Sequence, residues 1–523
     1  MDIHITIEGR RDLTGQLYRQ LRTGILDGRL PAGERLPSTR DLALQLGVSR
    51  KTTLEVFERL GAEGYLISRP GDGTFVADGL MRLPSKGDRI VVGERGERGD
   101  RSERGERHER GHGHERGHGQ GHGLAGTPGD FGLRHKVVLP RPLPIWDTFP
   151  DVRTLPHATE GMEYDFVGGV TDKTQFPFDV WRRCVNHALR IQARGVGAYH
   201  ETAGESELRL AVARYLAYSR AVATDEEGVF VTHGAQQAID LLARVMIRPG
   251  DIVAVEDPGY PPVRACLGAL GARVVDVPVD EHGLVVAKLP DEARIVYVTP
   301  SHQFPMGMPM SLERRVELLE WAQQRGALII EDDYDGEFRF EGRPMESLKS
   351  LDQAGLVAYV GTFSKTIFPE LRIGYFVPPV SLIEALQKAK QLNDRHSCSM
   401  TQSALAQFML EGDFAKHLRR VHKRYAARRD MLLKHLRGDL ARWFEPVVPV
   451  AGIHMVALIR PPIDEALIVA AAREVKVGLY GLSGFYQKAP PRRGLLFGYG
   501  GIEADSIDIG LDRLASVMRS LAP

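Results

Sequence analysis

Between Thr362 and Arg372 the chain reads TFSKTIFPELR, so that Lys365 stands between two hydroxyl residues, Ser364 and Thr366, with an arginine seven positions on. Solvated at a strand-to-helix turn, such a lysine is an ordinary surface residue. Desolvated, its amine stays nucleophilic and condenses with a carbonyl compound. Three other stretches carry residues that suit a planar, phosphorylated carbonyl ligand. IIEDDYDGEF contains Asp332 and Tyr334, EDPGYPP places Tyr260 on a Pro-Gly turn where its ring can stack on a flat ligand, and THGAQQAID opens with Gly234, Ala235 and Gln236. A glycine there allows close backbone approach, and the free amides of a helix start hold phosphate. Each signal alone is also what a cap, a packing ring or a plain helix start looks like.

What these stretches share is position. Each follows a short apolar run: VFVT near Val229, IVAVE near Ile252, RVVDV near Arg273, RIVYVT near Arg294, ALIIED near Ala327, VAYVG near Val357 and RIGYFV near Arg372. Runs without polar alternation are strands buried on both faces. With helical stretches between them, they predict an α/β domain over 160–523, with a mostly parallel central sheet and helices on both faces. In such sheets ligands bind beyond the carboxyl ends of the strands, where these residues lie. From about Pro379 the pattern turns helical and then mixed, which predicts a smaller C-terminal α/β subdomain.

A second compact unit is expected over 12–78. Leu13, Leu17, Leu21 and Ile25 mark one face of a first helix, Ser38 with Asp41 forms a capping box for a second, and Ser49 caps a third after the turn at Gly47 and Val48. YLISRPGDGTFVA then reads as strand, turn and strand. Three helices followed by a hairpin make a winged helix-turn-helix. Such a fold presents Arg40, Arg50, Lys51 and Thr52 to DNA from its helix starts, and Arg69 and Gly73 from its wing. Arginine suits guanine, whereas lysine and threonine suit phosphate. Residues 1–78 carry 11 basic and 11 acidic side chains, so the positive face has to be local.

Between the two units a linker is expected over 79–145. Its stretch 93–123 has no apolar residue and alternates seven arginines with seven acidic residues, among five histidines. Such a segment cannot bury enough surface to offset its ordering entropy, and as a coil it spans about 30 Å. The histidines lack fixed geometry, so no metal site is assigned.

Over the whole chain, 68 basic side chains balance 68 acidic ones, and the three cysteines are widely spaced. No apolar run approaches the roughly 20 residues that span a bilayer, and no secretory leader is recognisable. A cytoplasmic protein without a membrane partner is expected.

In order and context, the strand-end residues resemble the fold-type I pyridoxal-phosphate enzymes, the aspartate aminotransferase superfamily, most specifically in TFSK followed by LRIGY. The resemblance implies pyridoxal 5'-phosphate held by Lys365 as a Schiff base, with Asp332 on the pyridine nitrogen, Tyr334 on the ring oxygen and Tyr260 on the ring face. It also implies a phosphate site made by Gly234, Ala235, Gln236, Thr362, Ser364 and Arg372. In PRRGLLFGYGG, the substrate carboxylate falls to Arg493, with Arg492 as the alternative. One departure stands out: where aminotransferases read Asn-Pro-Thr-Gly, this chain reads SHQFPMG, with Phe304 in place of the asparagine. TPSHQFPMG, EDDYD, and the GntR-like LPAGERLPSTRDLALQLGVSRKTTLEVFERL and GDGTFV are instead similar to the MocR/GabR-like branch of GntR regulators.

Two functions follow from that resemblance. One is a regulator that binds double-stranded operator DNA as a homodimer and senses an amine, an amino acid or the cofactor itself. The other is a working aminotransferase with a DNA-binding appendage. Phe304 favours the first, and the intact lysine, aspartate, tyrosine and arginine set permits the second.

Overall fold

A computed structural model describes residues 5–7, 9, 12–77, 146, 161–340 and 346–521, in two compact units that divide after Pro142. The linker expected over 79–145 lies outside the described residues.

In the first unit, α1 (Leu13–Leu26), α2 (Thr39–Leu46) and α3 (Arg50–Ala62) precede a hairpin of β1 (Leu66–Arg69) and β2 (Gly73–Val76). The caps define the helices. Ser38 accepts from the Asp41 amide, Ser49 accepts from the Thr52 amide, and Gly47 ends α2 in the left-handed region that glycine favours. Leu17, Leu21 and Ile25 of α1 close a core with Val56, Phe57 and Leu60 of α3. The stretch around Arg35 adds an edge to the wing: the Leu36 amide donates to Thr74, and the Val76 amide donates to Glu34.

The second unit begins with β3 (Tyr164–Asp165). Its large sheet is built from β4 (Phe230–Thr232), β5 (Ile252–Asp257), β6 (Arg273–Asp280), β7 (Gly283–Leu284), β8 (Ala293–Val298), β9 (Leu328–Asp333), β10 (Val357–Thr362) and β11 (Gly374–Val377). These lie in the order β4-β11-β10-β9-β8-β5-β6-β7, and the five strands from β10 to β6 are parallel neighbours. All seven runs read as strands are strands of this sheet. It is buried on both sides: Ile239 and Leu242 of helix Ala235–Met246 pack on one face, and Leu318 and Trp321 of helix Leu312–Arg325 on the other.

A smaller antiparallel sheet follows, from β12 (Phe444–Val447), β13 (His454–Ile459), β15 (Tyr480–Gly481) and β16 (Gly494–Gly498), while β14 (Val477–Gly478) pairs with β3. Its core is entered by helix Asp413–Arg437. Helices Ile383–Asn393 and Ser399–Leu410 lie beyond Pro379 but pack on the large sheet, through Leu386 and through Ala404, Leu405 and Phe408. The change of pattern at 379 thus precedes the second core, because those two helices cover the first.

Candidate functional site

The parallel strands deliver their carboxyl ends to one edge of the large sheet, and β11, running against them, brings its own start back to that edge. Arg372, two residues before β11, therefore meets the loop after β4. Its Nη2 donates to the His233 carbonyl at 2.7 Å. Gly234 has φ +84°, and a Cβ on it would sit 3.0 Å from Arg372 Nη2. Helix Ala235–Met246 begins without a side-chain cap, so the amides at Ala235 and Gln236 are open to an anion. Across the site, Thr362 accepts from the Ser364 amide at 3.1 Å and donates to the Ser364 hydroxyl at 3.0 Å. Open amides, two hydroxyls and a guanidinium form a cradle that fits a phosphate.

Lys365 is half-buried, and its Nζ donates to the Gly169 carbonyl at 2.7 Å. Gly169 has φ +78°, and a Cβ there would lie 3.0 Å from Nζ, so only glycine lets the chain pass so close. Burial pulls the amine's pKa below the usual lysine range, against the opposing pull of Asp335 and Asp332. A lowered pKa makes the neutral, nucleophilic amine more accessible.

Asp332 is the penultimate residue of β9 and is buried. Its Oδ2 accepts from the Tyr297 hydroxyl at 2.7 Å, while Oδ1 has no hydrogen-bond partner. Burial drives the carboxyl up to about 7, with the Tyr297 bond opposing. An orphaned buried acceptor of this kind fits the N–H of a protonated pyridine ring.

The Tyr334 hydroxyl donates to the His302 carbonyl at 3.0 Å and lies 3.1 Å from His302 Nδ1. Burial lifts its pKa well above that of a free phenol, so it stays protonated. Phe304 stands where an amide donor was to be missed, its ring edge-on to Tyr260, Tyr334 and Phe485 at 5.4, 6.1 and 5.2 Å between centroids. Tyr260 is 39% exposed at the start of helix Pro261–Ala269, beside this apolar wall.

Arg493 is not brought to this cluster. In β16, successive side chains alternate between faces: Leu495 joins the core of the smaller sheet, while Leu496 joins Phe304, Met306 and Phe485. Arg493 shares the parity of Leu495, is exposed, and reaches only toward the Ile463 carbonyl at 3.5 Å. Arg492 has the parity of Leu496 but is exposed as well. Nearer Lys365 the position is apolar, with Leu496 Cδ2 2.7 Å from where a Cβ on Gly168 would fall.

Sequence reasoning missed Gly169, Tyr297, His302 and Asp335. The only signal for the histidine was its place in the departing SHQFPMG stretch.

In the first unit, Arg40, Arg50 and Lys51 are exposed at the starts of α2 and α3. The Thr52 hydroxyl lies 2.8 Å from Ser49 Oγ, so the cap already engages it. On the wing, the Arg69 guanidinium lies 4.7 Å from the Phe75 ring centroid, and Gly73, at φ +119°, is covered by the guanidinium of Arg35. Arg35 is a further basic group on the wing. It went unnoticed because its loop bridges to β2 only in three dimensions.

Residues 13–76 match the bacterial regulatory proteins of the gntR family, and residues 169–491 match aminotransferase class I and II. The chain is 36% identical over 510 residues to the "Probable rhizopine catabolism regulatory protein MocR" of Rhizobium meliloti, covering 97% of this chain and 94% of that one. It is 33% identical to the "HTH-type transcriptional regulator TauR" of Rhodobacter capsulatus, covering 82% and 81%. Among solved structures, the Pyrococcus horikoshii kynurenine aminotransferase, in complex with PMP, superposes with a TM-score of 0.64 at 26% identity, covering 72% of this chain and 98% of that one. Fold and site thus define a fold-type I, pyridoxal-phosphate-dependent aminotransferase domain joined to a DNA-binding winged helix. The chain belongs to the MocR-like branch of the GntR regulators.

Proposed function

We propose that this protein is a cytoplasmic, homodimeric transcriptional regulator that binds double-stranded operator DNA and, through its aminotransferase domain, responds to an amine, an amino acid or pyridoxal 5'-phosphate. The observation that carries the reading is Asp332 Oδ1, a buried acceptor left open at the strand edge that holds Lys365. When bound, the cofactor supplies an aldehyde and an electron-withdrawing ring. Lys365 attaches it, Asp332 receives its ring N–H, and Tyr334 donates to the ring oxygen. Tyr260 covers a ring face, and Gly234, Ala235, Gln236, Thr362, Ser364 and Arg372 hold the phosphate. An amine effector would compete with the Lys365 amine for that aldehyde. It shifts the protein between states only by binding them unequally. Arg40, Arg50, Lys51, Arg69 and Gly73 face DNA in this reading, with Thr52 supporting the helix start.

Purified protein should be yellow with added cofactor, and Lys365→Ala should abolish the lysine-linked absorbance. A colour indifferent to that change rejects the cofactor assignment. Gel shifts with the DNA upstream of the gene, with and without candidate amines, test regulation.

A second reading, catalytic transamination, is favoured by Lys365, Asp332, Tyr334 and Arg372 all lying at the same strand ends, without the substrate-carboxylate arginine expected at 493. Turnover with a keto acid acceptor at about 1 s⁻¹ or faster supports it.

A further inference from the structure

We infer that His302, pinned by Asp335, is the positioning residue for the Tyr334 hydroxyl, in place of the donor lost at Phe304. The inference rests on the cofactor-binding reading above.

Both residues are buried, and His302 Nδ1 lies 3.0 and 3.1 Å from the two Asp335 oxygens. Asp335 is an acceptor, so it fixes the ring proton on Nδ1, and its Oδ2 is itself held by the Ile453 amide at 3.2 Å. The opposite nitrogen, Nε2, has no hydrogen-bond partner and faces Gly307, where a Cβ would come within 3.2 Å. A buried bare lone pair costs less than a buried N–H without an acceptor, and this agrees with the same tautomer.

With that tautomer, Nδ1–H points between Asp335 and the Tyr334 oxygen, 3.1 Å away. The phenol then accepts from the imidazole and keeps its own proton for donation. The His302 carbonyl takes that proton at 3.0 Å. A ring oxygen of the ligand competes for the same proton, and Nδ1–H keeps the phenol oriented while it is redirected.

The seat is built for an imidazole. At Gly452, φ +93°, a Cβ would clash with His302 Cε1 and Nδ1 and lie 2.7 Å from Asp335 Oδ2. The neighbouring ionisable groups are Glu256 of β5, Asp332 and Asp333 of β9, Lys365, His454 of β13 and Tyr499. His454 sets its ring 4.6 Å from that of His302 at a tilt of 41°, places its Nε2 3.1 Å from the Pro305 carbonyl, and is kept neutral by burial. None of these hydrogen-bonds the Tyr334 hydroxyl, and Phe304 offers it only a ring edge.

The test is a pH titration of the visible absorbance of cofactor-loaded protein. A phenol donating to the ring oxygen lowers the electron density that holds the imine proton, so loss of its orientation should raise the titration midpoint. For one hydrogen bond the rise is about one pH unit, a tenfold change. His302→Phe should show it with cofactor stoichiometry intact, Asp335→Asn should show a smaller rise, and His302→Asn, which returns a donor near Nδ1, should reverse it. A parental midpoint in coloured His302→Phe overturns the inference. Should that variant not fold, a parental midpoint in Asp335→Asn overturns it. Parent protein that never becomes coloured refutes the cofactor reading instead.

Discussion

Asp332 and Tyr297 share one hydrogen bond of 2.7 Å, through a single carboxylate oxygen, and the other oxygen of Asp332 faces the site with no donor. Burial raises this carboxyl from 3.8 to about 7. Its folded pKa lies above its unfolded one, so between about pH 4 and 7 the folded state holds more protons, and stability falls as pH rises. The cofactor-free protein should therefore lose stability across that window, by up to about 1.4 kcal/mol per pH unit for this group. Glu256, also raised to about 7 by burial, adds to the decline. Asp332→Asn should flatten the slope in urea titrations run at several pH values. An unaltered slope speaks against the burial argument.

Arg372 combines an exposed guanidinium with a main-chain contact at the start of the phosphate cradle. A charge-assisted hydrogen bond is worth about 1.5–3 kcal/mol, so Arg372→Gln should weaken cofactor binding roughly 10- to 100-fold. Equilibrium titration of apoprotein reads this directly, and a Kd within twofold of the parent removes Arg372 from the phosphate site.

Phe304→Asn restores an amide at the position where the chain departs from aminotransferases. The new donor should lower the midpoint of the visible titration, opposite to the effect of His302→Phe, and speed the single-turnover reaction with an amino acid. If both quantities stay put, residue 304 does not govern the ring oxygen.

Arg35 sits against Gly73 on the wing, and a phosphate contact is expected of it. Arg35→Ala should weaken binding alike on specific and random DNA, and should reduce the salt slope by about 0.9. Arg50→Ala, at the start of α3, should instead narrow the gap between the two DNAs. A sequence-selective loss in Arg35→Ala contradicts the placement.

The strands were legible because β5, β8, β9 and β10 are apolar through both faces, and the helices of the first unit because Ser38, Ser49 and Gly47 mark their ends locally. Lys365, Asp332 and the Gly234 turn were legible because each follows a recognisable run. That Arg493 lies away from the cluster was not legible, for the converse reason. In RRGLLFGYGG the alternation needed to assign faces is absent, since both faces of β16 are buried, and a one-residue difference in parity moves a side chain to the other side of the sheet. The pairing of His302 with Asp335 and of Arg35 with the wing depends on long-range approach, which spacing does not encode.

The bond from Lys365 to Gly169 occupies the same nitrogen that the reading assigns to the vitamin. A nitrogen committed to the cofactor would have fewer protons to offer, and the peptide oxygen at 169 would need another donor. That oxygen belongs to the first residue of the stretch that matches the aminotransferases. Chemistry at the lysine would thereby be felt in the backbone that opens the aminotransferase domain.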